Sequence, residues 1–447
     1  MGVSGLAFVG TVTLVVGHFN LLGPWLPYGL ALAGIALAFT ARREFSATVT
    51  RGWRGVLAQF RTHPIPLGAV SLGLLIATFA TVVPPARQDE TDYHWPAPLE
   101  WAAAGGWTDS SFKHVDGFPF MEIIYTAAAT QGSYVAAHVM HFGAFLALGF
   151  AVAGIATSMG IRGTGVTAAA ALAMPVVWDS SYSSYNDTPV AAFGAVAVAV
   201  VLATPTLSIR AAALAGVLVA FATSVKPTGA AAVGVLALIV LMRFIADRAT
   251  ARREGSPADS WWLVARQWVA LALPSLAALA FWSVRQFIFT GYFVDPSRSE
   301  PPSEDVLSRL PNDVQQILAP LLPFVSGVVG ASEPWGGRTA LVIQLFLVPA
   351  IIYVVWRRGA VLRRFALVVV PAWAHWIVLG FAIVRTRFHV LSWVMFVVGL
   401  RIAIEDFISR YPRSRLWVEA AWAICIVAGV IDVSFEMYRH LRLLWSS

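Results

Sequence analysis

Cysteine is all but absent: Cys425 is the single one in 447 residues. It falls in an apolar run, so an intrachain disulfide is excluded and one thiol assigns no redox compartment. Lysine is almost as scarce, with Lys113 and Lys226 alone, and acidic residues number 24. Charged residues make up 12% against 58% hydrophobic, and mean hydropathy is +0.71, which excludes an ordinary soluble domain. Strand-like alternation is missing too, and so are long-period repeats and low-complexity tracts. Only helices then remain to satisfy their own backbone groups in a bilayer, so the class is all-α and polytopic.

What is present in quantity is apolar run and arginine. The net charge of +7 does not point to nucleic acid, because the basic residues sit in short loops and form no patch. Eighteen tryptophans suit interfacial belts better than base stacking. About thirteen runs have lengths suited to a bilayer: 3–18, 24–41, 66–83, 134–158, 164–178, 188–204, 207–225, 227–243, 267–290, 338–356, 365–384, 388–404 and 416–435. Segment 3–18 lacks a basic leader and a cleavage site, so it is read as a retained span.

With the N-terminus inside, 20 of the 31 basic residues fall in cytoplasmic loops, which places 84–133 and 291–337 on the other face. The chain thus divides into 1–64 (two spans and a basic cytoplasmic loop), a core 65–290 with outer loop 84–133, a second outer loop 291–337, and C-terminal spans 338–447. Within the first loop, Pro96–Ala104 carries proline at its start and Gly105-Gly106 at its end, the asymmetry of a short helix. Phe118–Thr130 is a second short apolar stretch. Both are expected to lie along the membrane surface. The stretch 314–330 reads as re-entrant or interfacial.

Four acidic residues, Asp89, Glu90, Asp92 and Glu100, crowd into 84–101, just after a span that ends at Val83. A carboxylate held near the lipid boundary is a functional candidate, and Tyr93 and His94 follow Asp89 by about one helical turn. Asp187 in Asn186-Asp187-Thr188-Pro189 lies at another outer span end, where a plain helix cap is an equal reading. Lys226 stands between two spans as a compact point charge where arginine otherwise dominates. Arg285, Arg385 and Arg387 lie on the outer side against the positive-inside trend. Together these four cations suit one phosphate.

These residues carry a resemblance. Asp89-Glu90-Thr91-Asp92-Tyr93 resembles the Asp-Glu-x-x-Tyr signature of the GT-C glycosyltransferases, membrane enzymes that use lipid-phosphate sugars. Tyr93-His94-Trp95-Pro96 is similar to the Tyr-His-Leu-Pro of bacterial members, and Asp187-Thr188-Pro189 to their Asp-x-Pro. Ser224-Val225-Lys226-Pro227 resembles Thr-Lys-Gly-Pro, Trp282 to Gly291 resembles Pro-Trp-x-x-Arg-Asn…Thr-Gly, and Arg385-Thr386-Arg387-Phe388 resembles Thr-Arg-Tyr. The matches follow family order over 84–390.

The resemblance implies a GT-C-like core and an inverting transfer from a polyprenyl-phosphate sugar to a glycan or glycolipid hydroxyl outside the cytoplasmic membrane. It implies Asp89 and Asp187 as catalytic residues, Glu90, Tyr93 and His94 as supports, and Lys226, Arg285, Arg385 and Arg387 as the donor-phosphate set. Some members use a divalent metal; Asp89 and Asp187 alone are too few ligands to claim one. A transporter of lipid or sugar and a silent scaffold of the same fold are the rival classes.

Overall fold

The computed structural model describes residues 2–108, 110, 112, 117–178, 181–254, 260–293, 336–380 and 386–445. Among them the ordered elements are helical. In chain order they are α1 (Gly2–His18), α2 (Leu26–Thr40), α3 (Arg42–Thr62), α4 (Pro64–Ala80), a π-helical turn (Glu90–His94), α5 (Pro96–Ala104) and α6 (Phe120–Ala129). Then follow α7 (Tyr134–Ser158), α8 (Thr164–Leu172), α9 (Pro175–Trp178), α10 (Asp187–Ala203), α11 (Ile209–Val225), α12 (Ala231–Glu254) and α13 (Trp261–Thr290). The last four are α14 (Gly336–Arg357), α15 (Gly359–Gly380), α16 (Val390–Arg410) and α17 (Arg415–Trp445).

A layer runs α7–α10–α11–α13, each helix against the next. The pair α15–α16 packs across it through α12 and α10, and α17 closes on α4. Without a hydrophobic drive between lipid-immersed helices, close packing needs small side chains. Gly216 of α11 shows this: a Cβ there would come within 2.5 Å of the Ala270 carbonyl of α13. Gly73 of α4 likewise admits the Trp178 ring, which its Cβ would meet at 2.6 Å.

Five described helices are long and apolar enough to cross a membrane, in α7, α12 with its preceding turn, α13, α15 and α17. Others, such as α1, α10 and α11, are apolar but no longer than 17 residues. At about 1.5 Å per residue these fall short of a hydrocarbon core of roughly 30 Å. The count of thirteen spans therefore exceeds what the described helices show. Segment 164–178, read as one span, is broken between Leu172 and Pro175 into helices of nine and four residues.

One further expectation is corrected: the basic loop after α2 contains a 21-residue amphipathic helix, α3. The stretch Phe118–Thr130 forms α6, whose ten residues are all buried among neighbouring helices, α1, α5, α7 and α11 foremost. Its one charged side chain, Glu122, finds partners inside the protein, so burial there is tolerable. The apolar stretch 314–330 lies outside the described residues.

Candidate active site

Of the polar side chains singled out in the sequence, Asp89, Glu90, Tyr93, His94, Asp187, Lys226 and Arg285 lie at or near helix ends. Four local devices place them. After α4 ends at Ala80, the chain passes Pro84-Pro85 and re-enters helix at Gln88 and Asp89. The next turn is π-helical, with the Trp95 amide donating to the Glu90 carbonyl at 3.1 Å. Such wide turns cluster at functional sites because they re-aim side chains. Pro96 then opens α5 and Gly105, at φ +72°, closes it, as the proline–glycine asymmetry requires. Ser133 caps α7 by accepting from the Ala136 amide.

The π turn separates two adjacent carboxylates by environment. Asp89 stays half-exposed and Glu90 is 3% exposed. Glu90 Oε1 accepts from the Ser184 amide at 2.8 Å and pairs with His138 Nε2 at 2.7 Å. Its Oε2 accepts from the Ala86 amide at 3.3 Å. His138 is held from its other side, Nδ1 to the Thr81 carbonyl at 3.1 Å. Both ring nitrogens thus face acceptors. Burial pushes the Glu90 carboxyl up, but the His138 hydrogen bond and charge and the two backbone amides outweigh it and hold it at about 2. Glu90 is consequently a fixed anion that anchors the turn.

The second buried carboxylate is Glu122, which the sequence reading missed. It is 1% exposed, and its Oε1 meets His94 Nδ1 at 2.5 Å and accepts from Asn186 Nδ2 at 2.9 Å. The ring of His94 also packs on Tyr93 and edge-on to Tyr185. Behind it, Tyr125 of α6 shares a 2.8 Å hydrogen bond with His141 of α7. Burial, with the Glu122 and Glu90 charges added, lifts the Tyr125 hydroxyl well above its ordinary value, so it stays protonated. A lone glutamate in Phe-Met-Glu-Ile-Ile and two histidines in the apolar run 134–158 were the available signals.

Asp187 opens α10 and Lys226 closes α11, so each charge faces the favourable end of a helix dipole. They meet at 2.9 Å, with Asp187 buried and the Lys226 side chain 27% exposed. The Phe388 ring lies 3.7 Å from the Lys226 ammonium, a cation–π arrangement. Pro227 forces Lys226 into extended backbone, and the tight turn after it needs Gly229, whose Cβ would strike the Ala222 carbonyl group.

Arg285, near the end of α13, stands over Phe289 at 4.7 Å and within 6.0 Å of both Trp282 and Trp101, so α5 and α13 share it. Arg87, absent from the candidates, contacts the Tyr182 hydroxyl at 2.7 Å beside Glu90. Arg387 falls in the turn Thr386–His389, and Arg385 lies outside the described residues. Thus Asp89, Glu90, Tyr93 and His94 share one turn, and Asp187 and Lys226 form one pair. Glu122 joins the two groups through His94 and Asn186. Among the described residues, no group of three or more His, Cys, Asp or Glu side chains stands together as a metal-ligand set.

No family model matches the sequence, and no curated protein does. Solved structures do. ArnT from Cupriavidus metallidurans bound to undecaprenyl phosphate superposes with a TM-score of 0.54 at 14% identity, over 82% of this chain and 75% of that one. The same protein in the apo state gives 0.52 at 13%, with the same coverage. The chain shares its fold with ArnT, and its long apolar helices make it an integral membrane protein.

Proposed function

We propose that this chain is a glycosyltransferase that moves a sugar from a polyprenyl-phosphate donor to an acceptor hydroxyl, with inversion, at the extracytoplasmic face of the cytoplasmic membrane. The observation that carries the reading is the contrast within the π turn. Glu90 is locked as a buried anion, while its neighbour Asp89 remains accessible at the same helix end. Undecaprenyl phosphate in a structure of the same fold supports a lipid-phosphate donor.

In this reading Asp89 takes the proton of the acceptor hydroxyl as that oxygen attacks the anomeric carbon from the face opposite the phosphate. The sugar–phosphate bond breaks, and the electron pair leaves with the lipid phosphate. Lys226, anchored by Asp187 and Phe388, and Arg285, set among three aromatic rings, supply preorganised positive charge for that leaving group. A single well-placed donor can be worth about 3–4 kcal/mol of transition-state stabilisation. Arg385 and Arg387 are proposed to complete the phosphate set, and a glycan or glycolipid is the proposed acceptor.

The test is transfer of radiolabelled sugar from a purified polyprenyl-phosphate donor by the full chain in nanodiscs. Asp89→Asn keeps the shape and removes the proton acceptor, so its rate should fall on the order of 100- to 10,000-fold with unchanged thermal stability. Asp187→Asn should fall less steeply and lose stability as well, because it unpairs Lys226. Near-parental transfer by Asp89→Asn sinks the mechanism.

A further inference from the structure

We infer that Glu122 is a positioning residue that sets the spacing between the two acidic segments of the site. The inference rests on the reading of Asp89 and Asp187 given above. Those two residues lie on segments with no covalent reason to stay together: they are separated by α5 through α9 in the chain. One carboxylate oxygen joins them. Glu122 Oε1 takes His94 Nδ1, from the π turn that follows Asp89, and Asn186 Nδ2, from the residue just before Asp187.

The geometry makes this a stiff link. Glu122 is 1% exposed and His94 is 3% exposed, so both bonds form away from water, where competition is weak and polar contacts are stronger. The element carrying Glu122 cannot drift either, since every residue of α6 is buried among five other helices. Glu90 makes a parallel tie, from the π turn to the Ser184 amide and to His138 of α7. The Glu90 bond to Ser184 ends at a backbone amide two residues upstream of Asn186, so it fixes the loop. The Glu122 bonds end on side chains next to Asp187 and at the end of the π turn, so they fix register. Positioning is where enzymes lose most from small shifts: about 1 Å of misplacement can cost on the order of 100-fold in rate.

The experiment pairs kinetics with amide hydrogen exchange on the full chain in nanodiscs. Glu122→Ala should lower kcat about 100-fold while KM moves less than about threefold, because no substrate contact is removed. Exchange should accelerate in both 88–95 and 184–190. His94→Gln and Asn186→Ala each cut one arm, so each should loosen its own segment and leave the other slow. Glu122→Gln keeps an acceptor for both arms and should recover most of the rate and the protection. Asp92→Asn, on an exposed side chain of the same turn, should leave rate and exchange at parental values.

A Glu122→Ala chain that folds, exchanges slowly at both segments and keeps its kcat overturns the inference. So does a change confined to KM, or a Glu122→Gln variant no better than alanine. If Glu122→Ala does not fold, the two single-arm variants decide, and loosening of both segments together by either one counts against separate arms. Absence of sugar transfer by the parental chain would count against the proposed reaction alone, since the exchange pattern reports the link without it.

Discussion

Replacing Glu90 by glutamine should reveal the anchor of the π turn as a pH-dependent loss of stability. The carboxylate receives the Ser184 and Ala86 amides and the His138 ring, and it is held at about 2 instead of its ordinary 4.5. At roughly 1.4 kcal/mol per pH unit, that difference corresponds to about 3 kcal/mol of folded-state stability. It lies at the lower edge of the ~3–5 kcal/mol expected when one partner of a buried ion pair is removed. A carboxyl depressed on folding contributes fully above its unfolded value and loses that contribution as pH falls through its folded value. The stabilisation is therefore complete above pH ~4.5 and gone near pH ~2. Glutamine has nothing to titrate and never possesses it.

Unfolding followed by tryptophan fluorescence in detergent, from pH 7 to pH 2.5, gives the comparison. The parental chain should exceed Glu90→Gln by about 3 kcal/mol at pH 7, and the gap should close steadily between pH ~4.5 and pH 2.5. A gap that stays constant over that window would show that the charge on Glu90 does not anchor the turn. A variant equal to the parent at pH 7 would refute the buried pair altogether.

Lys226→Ala and Arg285→Ala should each weaken donor binding, read as a higher donor KM and as less undecaprenyl phosphate retained by the purified protein. Arg285→Lys should rescue in part, because a point charge replaces a planar fork that stacks on rings; unchanged donor binding in both alanine variants removes them from the site. On sidedness, Gln131→Cys lies at the site end and Arg413→Cys at the opposite end of the bundle, both exposed, in a Cys425→Ala background. An impermeant thiol reagent on intact cells should label the first and spare the second, and the reverse pattern would invert the topology.

Much of this molecule was legible because its information is local. Apolar runs of bilayer length with few charges leave helices as the available solution, whatever packs beside them. Pro96 and Gly105 bound α5 where the sequence placed them, since both act through their own φ. The run 134–158 became α7 to the residue. Asp89, Asp187, Lys226 and Arg285 stood out because a charge beside apolar residues is costly in any fold. Helix length was less secure: Pro175 and a short stretch before it break 164–178, and α3 was read as a loop because its arginines set it apart from the apolar spans, although its apolar residues recur at helical spacing.

Only the tertiary structure decided which polar groups meet. Glu122 reads as one odd glutamate in an apolar segment, and its partners lie 28 and 64 residues away. His138, 48 residues from Glu90, gives no local sign of ending at that carboxylate. Nothing in Asp89-Glu90 tells which carboxylate is buried; the π turn settles it by aiming Glu90 at the amide of Ser184, 94 residues on. Sequence fixes the energetic cost of each buried charge, because that cost belongs to the side chain and its neighbours. The partner that offsets it is chosen by packing, because helices distant in the chain must first be brought together.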